Sequence, residues 1–518
     1  MPTTGRPGVF VTENFAPLSN NGPAIPGEAL PCIAGVFPRG PIAPTPITSW
    51  SQFTNLYGDF TTDPGNLFPF AVNQFFLNGG SQLFIVRVPN SDAVPASLSL
   101  LDVAESPSDI VTVTALSPGV WGQNIYVEVV SAGTAGRISF NIYYNGTANT
   151  NLVETFQDLS TSPSDPRYIV NMVNSPVSGS QYVVLSENLG GPYVLGETDL
   201  SLVSPSPLTG GNDGVTAPDL TVAVPAQLDT LLNQALYVNI PGLDDTTTLT
   251  TLDSWAAARG DTMFVVDGPV PDLPETTATV TSNYLAMVSG DTALPSSTYL
   301  AVYAPWLLCQ DPSSTVPGAT RYLPPGGAVL GQWNWTDATF GTVKTPAGIG
   351  NTLKVIDLEA RFSNAQLDTL NDNFVNAVKL IPGIGFCIFG GRTLHPGYPD
   401  RYIAVRRMII KLEHDFKWLL QFALFEPNDV VLWKQMTTVI QGYLGQLLQA
   451  GQLGGDTPAD SFMVTCDDTT TTPAQASAGI VNMLVAVSLL SPAEYINITL
   501  SMFQGDGTTS VSTTNAGS

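Results

Sequence analysis

Charge and histidine are what this chain has least of. Only 12% of its 518 residues are Asp, Glu, Lys or Arg, and its two histidines are His395 and His414. Eighteen basic residues stand against 43 acidic ones, a formal net charge of −25. Phosphate recognition needs clustered Lys and Arg, so this balance argues against nucleic acid as the main partner. It argues equally against attachment to an anionic membrane surface. A Ser-His-Asp relay housed in the first 394 residues would have no base. A continuous apolar run of roughly 20 residues, the length a membrane-spanning helix needs, is also missing.

Other absences narrow the reading further. The opening MPTTGRPGVFVTENF has neither the basic segment nor the apolar run of a secretory signal. Cys32, Cys309, Cys387 and Cys466 form no CxxC pair, and their strand-like contexts fit buried free thiols in a reducing compartment. The expectation is a soluble protein made in a cytoplasm. GxxxxGK[ST], GxSxG and HExxH do not occur, and GIGNTL at Gly348 lacks the third glycine of a dinucleotide loop. CDDTTTTPA, with Asp467 and Asp468, lacks the spaced acids of a calcium loop and reads as a turn network. GGNDG, Gly210 to Gly214, is a turn first and an anion nest second. His395 reads as a turn or packing residue and His414, between Glu413 and Asp415, as ion-paired. No catalytic, cofactor or metal set is expected. A surface this poor in charge has two readings, an acidic soluble protein rich in small polar residues or a chain covered by neighbours.

What is present has a clear order. Residues 1–30 form an arm, with a short strand candidate around Val9, Phe10 and Val11. The sixteen residues APLSNNGPAIPGEALP then exclude helix and could extend roughly 50–60 Å. Residues 31–92 and 208–380 alternate strand and helix, which indicates an α/β layer around a mostly parallel sheet. Between them, 93–207 carries short β-rich runs such as DIVTVTAL and RISFNIYY separated by turn residues, the pattern of an all-β insertion. RYLPPGGAVLGQWNWTDATFGTVKTPAG is rich in Pro and Gly and is expected to cross the surface.

Residues 381–504 are the most strongly patterned. In RYIAVRRMIIKLEHDFKWLLQFAL, Tyr402, Val405, Ile409, Leu412, Phe416 and Leu419 recur at helical spacing. Asn428 is expected to cap a second helix that buries Leu432, Met436, Ile440, Tyr443 and Leu447. Between residues 91 and 343 the only basic residues are Arg137, Arg167, Arg259 and Arg321, whereas Arg406, Arg407 and Lys411 gather on one helix. That trio is either a solvated face or a basic strip facing an acidic partner. Near the end, Ile496, Ile498, Leu500 and Met502 alternate with Asn497, Thr499 and Ser501, a strand with one buried face. A polar tail, 505–518, expected to be disordered, follows.

The ordered set PGVFVTE, IAGVFPRGPIAPTPITSWSQFTNLYG, FFLNGGSQLFIVRV, SPGVWGQNI, GGNDG, YLPPGGAVLGQWNWTDATFGTVKTPAG, RTLHPGYPDRYIAVRRMIIKLEHDFKWLLQFALFEPND, FMVTCDDTTTTPA and SPAEYINITL resembles the contractile tail sheath proteins of bacteriophages and related injection machines. The resemblance implies a subtilisin-like α/β domain without catalytic residues, an inserted β-sandwich and an α+β C-terminal domain facing a tail tube. It also implies that an extended N-terminal arm and a C-terminal strand join a neighbour's sheet, through Val9, Phe10, Val11, Ile496, Ile498, Leu500 and Met502. Within that frame Arg406, Arg407 and Lys411 are candidates for facing the tube. The implied partners are further copies in a helical homo-oligomer, the tube protein, and baseplate and tail terminator proteins. No direct nucleic-acid contact, membrane insertion or cofactor is implied. The setting would be a virion tail assembled in a host cytoplasm, or the sheath of a non-viral injection particle. A β-rich carbohydrate-binding or hydrolytic protein is the reading from another class.

Overall fold

The computed structural model describes residues 29–60, 65–134, 137–188, 193–194, 199–231 and 234–494, and the backbone of 502–503 and 509–510. Val9, Phe10, Val11, Ile496, Ile498 and Leu500 lie outside the described residues. The chain divides into two compact units, one of residues 1–33, 70–83 and 232–518, the other of 34–69 and 84–231.

The first unit is built on a mainly parallel sheet. Its strands run in the order Thr352–Leu353, Gly385–Ile388, Asn376–Ile381, Leu300–Ala304, Thr262–Asp267, Leu236–Asn239 and Leu30–Gly35. The four pairings from Asn376–Ile381 to Leu30–Gly35 are parallel, and the two toward Thr352–Leu353 are antiparallel. Leu236–Asn239, Thr262–Asp267 and Leu300–Ala304 are buried along their whole length, as strands covered on both faces must be. Because Gly385–Ile388 pairs with Asn376–Ile381, this layer continues past residue 380.

Helices follow the strands with ordinary stop and start signals. Asp245 caps Thr246–Arg259, which ends on Gly260 in the left-handed region, and Ser363 and Gln366 form a capping box on Asn364–Asp372. The Pro/Gly-rich segment expected at the surface is instead a largely buried helix, Gly326–Phe340. Its glycines explain the difference. A Cβ at Gly327 would lie 2.4 Å from Ala71 O, and one at Gly331 would lie 2.4 Å from Phe75 O. Residues that weaken an isolated helix here permit close packing against Phe68–Leu77.

A second core in this unit joins the long helices Ile403–Leu419 and Val430–Gln449 to the antiparallel pair Phe462–Thr465 and Leu484–Val487. The five residues expected on the buried face of the second helix are all buried. Its cap is Asp429 rather than Asn428, whose amide donates to Ala476 O and Ile480 O and whose Oδ1 accepts from Trp433 Nε1.

The other unit holds the β-rich insertion. One antiparallel sheet orders Ser97–Leu101, Asp109–Ala115 and Val183–Glu187; another orders Val203–Pro207, Ile125–Ser131, Arg137–Tyr144 and Leu152–Ser160. Val113 and Leu185 of the first share one core with Val127, Phe140 and Ile142 of the second, the arrangement of a sandwich. Buried Arg87 binds this unit together, donating from Nε to Phe37 O at 2.8 Å and from Nη2 to Pro118 O at 2.7 Å. Desolvation lowers its pKa to about 10.

Candidate interaction sites

In an open parallel sheet, ligands bind beyond the carboxyl ends of the strands. Strand Thr262–Asp267 ends there on a buried carboxylate. The chain itself fills the place. Asp267 Oδ1 accepts from the Gly326 amide at 2.6 Å, and Oδ2 accepts from Asn239 Nδ2 at 3.0 Å and the Gly242 amide at 3.1 Å. Burial pushes its pKa up to about 6 against the pull of these three donors. A Cβ on Gly326 would fall 2.1 Å from Asn239 Nδ2. Asp267 thus closes the start of helix Gly326–Phe340, where a carboxylate also meets the positive end of the helix dipole.

The two histidines stand apart from this edge in role. His395 Nδ1 lies 3.3 Å from Ser296 Oγ in a turn-rich stretch, and His414 Nδ1 lies 3.2 Å from Asp415 Oδ1. Among the described residues no group of three or more His, Cys, Asp or Glu side chains is placed to hold a metal ion. Asp467 serves a turn: its Oδ1 accepts from the Thr469 amide at 2.8 Å, and its carbonyl accepts from the Thr471 amide at 2.8 Å. Asn212 Oδ1 likewise closes the GGNDG turn on the Gly214 amide.

The expected basic strip is corrected by the structure. Arg406 and Arg407 are buried, Arg407 at 0% exposure. Arg407 Nη2 bonds Asp337 Oδ1, and its guanidinium lies 4.9 Å from the Trp333 ring centre and 5.1 Å from that of Tyr237. Arg406 donates to Tyr299 OH at 2.9 Å and lies 3.9 Å from Glu413 Oε1. Lys411 is tied to buried Asp415 at 2.9 Å. Asp415 also accepts from Tyr443 OH, and burial, reinforced by that carboxylate, raises the Tyr443 pKa. The overlooked signal is in AVRRMII itself: the two arginines stand inside an apolar run whose Ile403, Val405, Met408, Ile409 and Ile410 are all buried.

Sequence patterning missed the contact that fixes the end of the described body. Arg392, emerging after Gly385–Ile388, donates from Nε to Glu494 Oε1 at 3.0 Å and from Nη1 to Asn371 O at 2.8 Å. Arg392 Nη2 reaches Glu494 Oε2 at 2.5 Å, closing a two-pronged pair. Glu494 stands two residues before Ile496, where the expected C-terminal strand begins. Farther on, Met502–Phe503 pairs antiparallel with Thr509–Ser510, so part of the tail expected to be disordered is strand.

Two surfaces could meet other molecules. The sheet Phe462–Thr465/Leu484–Val487 contains, among the described residues, only those two strands, so each has an unpaired edge. Around the connection between the long helices, Trp418, Phe422, Phe425, Val430 and Val431 are all exposed. Phe425 is 89% exposed and held at φ +67°, a left-handed conformation unusual for a non-glycine residue.

This mixed α/β fold with several sheets matches the folds of solved contractile sheath proteins. The chain is similar over nearly its full length to the sheath of PVC, an extracellular contractile injection system, in the contracted state. That match has TM-score 0.57 and 20% identity, covering 98% of this chain and 99% of that one. It is also similar to the contracted helical sheath of the anti-feeding prophage AFP, with TM-score 0.56 and 20% identity over 97% of this chain and 100% of that one. The sheath tail protein Lin1278 of Listeria innocua matches with TM-score 0.57 and 13% identity, over 90% of this chain and 96% of that one. No family model matches the sequence, and no curated protein matches it.

Proposed function

We propose that this chain is the structural subunit of a contractile sheath, which polymerises helically around a tube and contracts to drive that tube through a cell envelope. The observation that carries this is the end-to-end match to sheath subunits, with neither chain leaving a large part unaccounted for. Head-to-tail contacts that do not close generate a filament. The N-terminal arm and the C-terminal strand tether each copy to its neighbours, adding strands to open sheet edges through main-chain hydrogen bonds. The unpaired edges of Phe462–Thr465 and Leu484–Val487 are suited to receive them. Tethering keeps the local concentration of neighbours high, so contacts between bodies can break and re-form while the lattice persists. Packed interfaces switch between discrete arrangements, which suits an extended and a contracted state.

In this reading the α/β layer is subtilisin-like and non-catalytic, its carboxyl edge occupied by the Asp267 cluster, and contraction proceeds without chemistry performed by this chain. The partners are other copies, the tube and the baseplate. The particle is a virion tail or a non-viral injection machine, which a neighbouring gene for a capsid or for an AAA ATPase would tell apart. The test is electron microscopy of the purified chain and of two truncations, one lacking residues 1–14 and one ending at Ala493. The full chain should form sheaths and both truncations should remain folded monomers. Normal sheaths from either truncation would overturn the strand-exchange model.

A further inference from the structure

We infer that the β-rich unit carries a binding pocket for one neutral, hydroxyl-rich ring, a monosaccharide or the end residue of a glycan. The inference is independent of sheath assembly. A cleft of about 170 Å³ opens beside the sandwich, with Arg39, Ser117, Trp121, Glu154, Gln181 and Tyr182 in its wall. A cavity of about 150 Å³ holds one benzene-sized molecule, so this space suits one small ring.

The wall is polar and organised. Glu154 is held in place, Oε2 accepting from Ser180 Oγ at 2.5 Å and Oε1 from the Gln181 amide at 2.8 Å. Each of its oxygens keeps a further acceptor site. Arg39 is fixed by donation to Thr54 O at 3.0 Å and by its guanidinium lying 4.7 Å from the Tyr144 ring centre. Tyr144 stands between Trp121 and Tyr182, with centroid separations of 6.4 and 5.7 Å.

Charge selects the ligand class. An anion that gained Arg39 would meet the Glu154 carboxylate, and a cation that gained Glu154 would meet the guanidinium. An apolar occupant would leave the remaining acceptor sites of Glu154 and donors of Arg39 facing it unused and cut off from water. Ring hydroxyls donate and accept at once, so they can serve Glu154 and Arg39 together, while the apolar C–H face of the ring lies against aromatic wall.

The test is titration of the full chain with glucose, galactose, mannose, rhamnose and N-acetylglucosamine, followed by saturation-transfer NMR, with inorganic phosphate and ethanolamine as charged probes and a glycan array alongside. At least one neutral sugar should bind saturably, and Glu154→Gln should weaken it about tenfold or more. Leu116→Trp, at an exposed position of the wall, should abolish binding while thermal melting stays unchanged. Binding of array glycans but of no free monosaccharide, lost in the same variants, would assign the pocket to a glycan end. No saturable binding in either format, binding unaffected by both variants, or binding of phosphate or ethanolamine alone would overturn the inference.

Discussion

Glu494 reaches back across 102 positions of sequence to clasp Arg392 with both carboxylate oxygens, and Arg392 at the same time holds Asn371 O. The pair is mostly buried, at 7% and 19% side-chain exposure. It pins the last residue of the described body, two residues before the stretch expected to form the C-terminal strand. Glu494→Ala should destabilise the monomer by about 1.5–3 kcal/mol, the range for a hydrogen bond to a charged partner. Urea denaturation measures that term. On the proposed function, sheath length by electron microscopy should fall more than monomer stability does, because the root of the exchanged strand is no longer fixed.

The Arg407–Asp337 pair should respond asymmetrically to mutation. Both side chains are almost fully buried, and Arg407 lies against the Trp333 and Tyr237 rings. Asp337→Ala leaves a buried cation uncompensated and should cost about 3–5 kcal/mol. Changing both residues together, Arg407→Met with Asp337→Leu, should recover most of that loss, since apolar replacement of a buried pair is often neutral or better. Denaturation midpoints of the single and double variants decide it.

Glu359 gives the monomer a pH dependence of definite sign. Burial pushes its carboxyl up to about 7, opposed by the bond its Oε2 accepts from the Trp306 amide at 3.0 Å and raised further by nearby Glu275. Its folded pKa therefore lies above the unfolded value near 4.5. The folded state holds the proton more tightly, so this contribution is full below about pH 4.5 and is lost as pH rises through about 7. Glu359→Gln keeps an acceptor for Trp306 and removes the titration. The melting temperature of the variant should exceed that of the unmodified chain increasingly between pH 5 and pH 8, taken as roughly the span of the shift.

Phe425 should trade stability against assembly. Its positive φ is strained for a side chain that is almost wholly exposed. Phe425→Gly removes that strain at little packing loss and should leave the monomer unchanged or up to about 1 kcal/mol more stable. If the exposed patch around Trp418 and Val431 is an assembly contact, the same variant should raise the protein concentration needed to form sheaths. Light-scattering onset against concentration reports this.

Local pattern carried much of this fold. Thr246–Arg259 is one of the helices of the strand-helix alternation read in 208–380, and the β-rich runs of 93–207 became two antiparallel sheets over one core. The second long helix buries the face its spacing specified. Gly326–Phe340 was illegible because its glycines act through Ala71 and Phe75, far away in sequence. The Arg406 helix was half legible: its existence followed from period, whereas the burial of its arginines rests on partners from other segments.

Sequence alone determined the element types, the scarcity of catalytic groups and the ordered motifs that point to a sheath, because these depend on nearest neighbours and composition. Tertiary structure decided the fate of the charges. Whether Arg406 and Arg407 face water or the interior depends on Tyr299, Asp337, Trp333 and Tyr237, which approach from other segments of the chain. Helical spacing states which side a residue takes but not what that side meets, and a buried guanidinium is stable only where a distant acceptor arrives to receive it.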